Sequence, residues 1–465
     1  MPAAFLHGTE TIRVNGGSVP VYTVDGAIVG MVGTAPIGAV NELIVGQTKK
    51  DFAQFGGDEL TGMGYTLPDA LEIISRYAAG RVYIVNVLDP AKHKSNVSQE
   101  AIAIDPTTLI AQTQHVGLIN LTVSDATGQV RSDEYDANLL TGEIRFKAMR
   151  ENVKVTYDYA DPTLVTDDDI RGGVEAATGK RKGLELLRTG FNLAGADAKI
   201  VLCPVFDAKP EVATAVETLA SQLNAIAYLQ APAGTTLAQA IAGRGPDGTI
   251  NFKTSSDRTH LFYPHVKGTQ GIEALATHAA GLRLLTDVQD GYWFSTSNRQ
   301  LKGVTGVEVS LTARVDDAQS ETNRLNEVGI TTVFNSYGTG FRLWGNRLAS
   351  YPMTTHISNF EVVQRTADLI DESLRRVELQ YVDRPIDDAL IDSLVGTVET
   401  YMGTLKSIVG FSVSLDTSYD LVDAFSKGQV PIQYEFTPKI PAERITNTSV
   451  VTRKYLVNLV GNGGQ

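Results

Sequence analysis

AIVGMVGTAP, residues Ala27 to Pro36, opens the part of the chain that decides the fold. Its first seven residues are apolar or glycine and carry no charge, so they read as a buried strand that stops at Thr34-Ala35-Pro36. A helix is expected next, over 67–79, with Leu71, Ile74, Tyr77 and Ala78 on one stripe and Gly80 as its stop. Arg81 to Leu88 reads as a second buried strand. Strand, helix and strand in this order begin a layered α/β core.

Outward from that opening the pattern changes. Residues 90–165 carry short alternating runs, such as Ile119 to Val123 and Val153 to Tyr159, separated by Ala126-Thr127-Gly128 and Thr141-Gly142-Glu143. They predict a small β-rich insert. From about 165 the α/β alternation returns. Strands are expected at 199–206, 224–230, 259–264, 303–310 and 330–334, and helices at 209–223, 271–285 and 319–328. Two long helical patterns follow at 360–380 and 386–409, then strand-like segments at 411–415, 429–437 and 449–460. The fold class is therefore mixed α/β, with about three domains' worth of chain in 465 residues.

Composition excludes several functions. The net charge of −13 and the lack of a basic tract argue against a nucleic-acid binder. No window reaches the roughly 20 apolar residues of a membrane helix. The start, MPAAFLHGTETIRV, lacks the charged and apolar regions of a signal peptide. The single cysteine, Cys203, sits in the apolar run Ile200 to Phe206 and reads as a buried hydrophobe in a chain suited to a reducing cytoplasm.

The usual catalytic patterns fail one by one. Gly62-Met63-Gly64 and Gly338-Thr339-Gly340 lack the third glycine of a dinucleotide fingerprint. Gly173 to Arg181 misses the phosphate-loop spacing and its hydroxyl residue, and reads as a loop entering a helix. No G-x-S-x-G elbow occurs, and none of the seven histidines shows H-E-x-x-H spacing. His260 and His265 flank a strand and read as structural. Asp167-Asp168-Asp169 reads as an acidic helix start. No cofactor, metal ligand or catalytic residue is named.

Two stretches carry a family resemblance. Ser256-Asp257-Arg258-Thr259-His260-Leu261-Phe262-Tyr263-Pro264 is followed by Ala280 to Asp287, which includes Gly281, and by Gly291 to Asn298. Glu321 to Ile330 is followed by Gly340-Phe341-Arg342-Leu343-Trp344-Gly345-Asn346-Arg347. With Ile28 to Pro36, these segments resemble the tail sheath proteins of contractile-tailed bacteriophages, in order over most of the chain and least across 90–165. R-type bacteriocin sheaths are similar but tend to lack the insert. An enzyme with an unrecognised site is the competing reading.

The resemblance implies a structural subunit that polymerises as stacked sixfold rings around a tail tube and contracts without nucleotide. Its implied partners are itself, the tail tube protein, and baseplate and tail terminator proteins. Its implied location is the virion tail, assembled in the host bacterial cytoplasm. The implied organisation is an N-terminal arm at 1–26, a first core part at 27–89, an outer insert at 90–165 and a central sheath domain at 166–350. A tube-facing unit at 351–447 and a C-terminal arm at 448–465 complete it.

Pattern alone leaves open whether the end strands pair within their own subunit. The resemblance implies that they add to sheets of neighbours. The residues concerned are Val19, Val21, Tyr22 and Val24 at one end, and Val451, Arg453, Tyr455, Val457 and Leu459 at the other. Tube-facing candidates are Arg375, Arg376, Arg384, Asp388, Asp392, Glu399 and Lys406. Asp257, Arg258, Gly281, Asp287, Asn298, Trp344, Gly345, Asn346 and Arg347 carry the family pattern and are expected to be structural. Arg258 is expected to meet a carboxylate, Asn298 to sit in a turn, and Trp344 to anchor the core.

Overall fold

The computed structural model describes residues 23, 25–335 and 337–456. Its centre is an eight-stranded sheet. The strands are β1 (Ile28–Gly33), β2 (Leu43–Gly46), β3 (Arg81–Asn86), β4 (Ile200–Leu202), β5 (Ile226–Gln230), β6 (Thr259–Phe262), β7 (Ile330–Phe334) and β8 (Arg342–Trp344). Their spatial order is β2-β3-β1-β4-β5-β6-β7-β8. The six inner strands are parallel, and the two edge strands run antiparallel to them. β1 lies between β3 and β4, in register Val29 to Val82 and Val29 to Ile200. That explains its charge-free sequence: both faces and both edges are covered.

Helices close each face. Ile28 and Val32 point into a core shared with helix α2 (Pro210–Leu223), whereas Val29 and Met31 point into a core shared with α1 (Thr66–Ser75) and α3 (Leu275–Gln289). Gly281 lets α1 and α3 touch, because a Cβ there would lie 2.4 Å from the Tyr77 ring. Gly345, at φ +136°, turns the chain beside Thr331 where a Cβ would sit 2.5 Å from the hydroxyl.

The expected β-rich insert is present. It holds a four-stranded and a three-stranded sheet between Lys94 and Ala160, around a core of Val123, Ile144, Phe146, Val155 and Tyr157. It is not loosely tethered. The buried Tyr65 hydroxyl donates to the carbonyls of Ala160 at 2.7 Å and Val116 at 3.1 Å.

Beyond β8, helices α4 (Glu361–Glu378) and α5 (Asp388–Thr404) pack on a hairpin of β9 (Ile408–Leu415) and β10 (Ile432–Pro438). Ile370, Leu374, Val398, Tyr401, Met402 and Ile408 form their common core.

Several expectations are corrected. The segment 303–310 is not a sheet strand, and only Gly306–Val307 pairs, in a small side sheet. Val304 and Val307 pack on one core while Val309 and Leu311 pack on the other, so the chain wraps round the sheet's end. Residues 271–273 form a short strand before α3 rather than its first turn. Gly173 to Arg181 is a hairpin, Gly173–Val174 against Arg181–Lys182, before a 3-10 helix. α1 ends at Ser75, earlier than Gly80, because Ala78 already adopts φ +48°. α5 spans less than 386–409: Leu405 is extended and β9 begins at Ile408. Trp344 is half-buried, stacked 4.3 Å from Phe334, and its neighbour Leu343 is the buried core residue.

Candidate functional site: a buried ionic seam and a free arm

α4 has a face that breaks the ordinary amphipathic rule. Glu361, Arg365, Asp368 and Glu372 recur at helical spacing and so lie on one stripe. That stripe faces the sheet. Glu361 accepts from the Tyr228 hydroxyl at 2.6 Å and pairs with His260 Nδ1 at 3.1 Å, while His260 Nε2 meets the Thr331 hydroxyl at 2.6 Å. Arg365 pairs with Asp287, Asp368 with Arg258, and Glu372 with Lys199. Asp287 also accepts from Arg283 Nε at 2.8 Å. Three oppositely charged couples and the Glu361–His260 hydrogen bond therefore close the joint between the sheet and the C-terminal helices.

Burial raises the Glu361 carboxyl, but the His260 hydrogen bond and the charges of His260, Arg283 and Arg365 outweigh it and hold it at about 2. A buried ionic joint of this kind favours one docking geometry over others more than it adds net stability.

The family-pattern residues divide. Arg258, Gly281 and Asp287 belong to the joint or its helix packing. Asn298 stands in a turn at φ +62°, its N–H donating 2.7 Å to the Leu343 carbonyl. Asn346 is buried with its Oδ1 unpartnered, and Asp257 is exposed. Arg347 spreads its guanidinium over the rings of Tyr351 and Phe360, 4.2 and 4.4 Å from their centroids.

Cys203 is fully buried, and burial pushes its thiol up. His265 meets Glu308 at 3.3 Å. Asp167 to Asp169 begin a short helix that Thr166 and Asp169 cap reciprocally. Among the described residues no group of three His, Cys, Asp or Glu is placed to hold a metal ion, and no helix is long and apolar enough to cross a membrane.

The tube-facing candidates do not form one patch. Asp388, Asp392 and Glu399 share the exposed face of α5. Arg375 is exposed on the last turn of α4, and Lys406 is exposed beyond α5. Arg376 is engaged elsewhere, donating to the Gly195 carbonyl and lying over Phe191. Arg384 lies 5.3 Å from the Tyr381 ring centroid.

At the C-terminus the expected strand is not formed over 450–456. Residues 440–452 have no regular secondary structure and make no backbone–backbone hydrogen bond among the described residues, and 454–456 make a 3-10 turn. Val451 is 100% exposed and Tyr455 65%. Val457, Leu459, Val19, Val21, Tyr22 and Val24 lie outside the described residues. A strand needs a partner for its N–H and C=O groups, and this segment finds none among the described residues of its own chain. The joint itself escaped the sequence reading. A charged helical stripe is ordinarily assigned to solvent, and only its partners on four other segments show otherwise.

The sheet of parallel strands with a β insert and a terminal helix-and-hairpin unit defines a sheath-type subunit. The contracted helical sheath of the anti-feeding prophage matches it at a TM-score of 0.59 and 14% identity, over 96% of this chain and 99% of that one. Residues 179–347 match the family described as phage tail sheath protein central domain. The tail sheath protein of Burkholderia phage BcepMu is 46% identical over 99% of this chain and 100% of its own length. That of Escherichia phage P2 is 28% identical over 62% of this chain and 72% of its own. The chain belongs to the tail sheath protein family of contractile-tailed bacteriophages.

Proposed function

We propose that this chain polymerises as stacked sixfold rings around a tail tube protein, between a baseplate and a tail terminator, and contracts to drive the tube through the bacterial envelope. The energy is stored at assembly, and no catalytic group takes part. The virion tail, built in the host cytoplasm, is its place. The observation that carries the reading is the C-terminal segment: β-prone, exposed and without strand partners among the described residues, in a chain of this family.

In this reading the segments 1–26 and 448–465 are exchanged arms that add strands to neighbours, so that subunits slide without separating. An open, heterologous contact of this kind propagates into a helix instead of closing. Among the described residues the hairpin β9–β10 has two unpaired outer edges, which suits the role of receiver. The unit 351–447 faces the tube, with the acidic face of α5 meeting cations there. The insert 90–165 lies outside.

Electron microscopy of the full chain and of a chain truncated after Thr448 tests this. Rings or tubes from the full chain and none from the truncation are expected. Discrete small particles from the full chain, even with tube protein added, would overturn it.

A further inference from the structure

The arm leaves the subunit at a defined point. Lys439 N–H donates to the Ser407 carbonyl at 2.9 Å, the last backbone tie after β10. From 440 to 452 no backbone–backbone hydrogen bond is made among the described residues. One side chain holds this stretch. Glu443 accepts from Arg347 Nε through both carboxylate oxygens, at 2.9 and 3.1 Å, and from Nη2.

Arg347 is prepared for that contact. Its guanidinium lies over Tyr351 and Phe360, and its backbone bridges to Phe360. A planar cation fixed over two rings presents its fork in one direction, which a lysine does not reproduce. Ile440, before Glu443, is 45% exposed, and past Glu443 the apolar side chains are more exposed still: Ile445 at 79%, Val450 at 76% and Val451 at 100%.

We propose that Arg347 and Glu443 form a pin that sets where the C-terminal arm departs and so presents the segment beyond it to a second copy of this chain. The inference rests on the arm-exchange reading above. The occupant is a second copy because the free segment is long enough. The 13 residues after Glu443, through Leu456, span up to about 45 Å when extended, long enough to reach a neighbouring copy.

The pin also shortens the free tether to Val450, where the β-prone segment begins, from 11 residues counted from Lys439 (450 − 439) to 7 counted from Glu443 (450 − 443). Effective concentration falls as roughly the −3/2 power of length, so shortening alone raises it about 2-fold. Fixing the direction adds to that.

The test uses the full chain with Glu443→Ala and, separately, Arg347→Lys. A spin label at Val450→Cys reports arm mobility, since the native Cys203 is fully buried and does not compete for label. The concentration at which polymer appears is measured on unlabelled chains by sedimentation. Glu443→Ala is expected to melt as the parent does, and both variants are expected to show a more mobile label and to polymerise only at a concentration at least about 2-fold higher.

An unchanged label spectrum overturns the pin. A looser label with unchanged onset overturns its role in assembly. Should Glu443→Ala misfold, Glu443→Gln replaces it with the same two readouts. The truncation after Thr448 runs in parallel. If it polymerises like the full chain, the arm reading fails. If it does not while Glu443→Ala behaves as the parent, only the pin fails.

Discussion

Replacing Glu361 with Gln keeps the volume of the side chain at the top of α4 and removes its charge. The carboxylate is 2% exposed and is met by Tyr228 and His260. Breaking one side of a buried charged couple costs about 3–5 kcal/mol, because the partner stays behind uncompensated. A second route gives a similar figure. The carboxyl sits at about 2 against an ordinary 4.5, a difference of roughly 2.5 units, or about 3 kcal/mol.

The sign follows from the depressed value. The stabilisation is fully present above about pH 4.5 and is lost as pH falls towards 2. Glu361→Gln is therefore expected to lower unfolding free energy by about 3 kcal/mol at pH 7 and to flatten the profile between pH 4.5 and 2. Tyr228→Phe alone is expected to cost about 2 kcal/mol, as a hydrogen bond to a charged group does. The double variant should cost about 1–2 kcal/mol less than the sum, since the shared contact is lost only once. Equilibrium denaturation of the subunit below its polymerisation concentration measures all three. A cost under about 1 kcal/mol for Glu361→Gln, or strict additivity, would refute the joint as described.

Other consequences follow from the same packing. Asp207 is buried in the 3-10 turn Phe206–Ala208 that follows β4, its Oδ1 unpartnered, and burial lifts its carboxyl to about 7. Its folded state holds a proton that the unfolded chain has lost, so stability should fall between about pH 4 and 7 by up to about 4 kcal/mol. Asp207→Asn should remove that slope in thermal melts across the range. Arg244 donates to the carbonyls of Phe252 at 3.0 Å, Val328 at 2.9 Å and Tyr351 at 3.1 Å, and to those of Thr254 and Ala349. Arg244→Met should cost about 3–5 kcal/mol by denaturation, because it strands acceptors on three loops at once. Changing Asp388, Asp392 and Glu399 together to Asn should leave melting unchanged yet weaken co-assembly with tube protein, most visibly at low salt. Excising 94–160 with a short linker should leave polymers visible by electron microscopy, and loss of all polymer would place the insert in the assembly contacts.

The sequence by itself determined the elements whose side chains all obey one rule. β1 and most of β5 are continuous apolar runs and β3 is one between Arg81 and Asn86, α2 has a plain apolar stripe, and the insert alternates; each was legible because burial there is apolar burial. Family membership was legible for a related reason, since the segments around Arg258, Asp287 and Asn298 hold their order along the chain. Tertiary structure alone decided the rest. Glu361, Arg365, Asp368 and Glu372 look like a solvated face until His260, Asp287, Arg258 and Lys199 arrive from a distant strand, helix and loops. The 303–310 run alternates like a strand but bends around the sheet's end to serve two cores. Val450 to Leu456 has strand composition and no strand, because pairing is a property of two segments and the described residues of this chain supply only one. Periodicity records which side chains shun water. It does not record which charge meets which, and that depends on distances the folded chain alone creates.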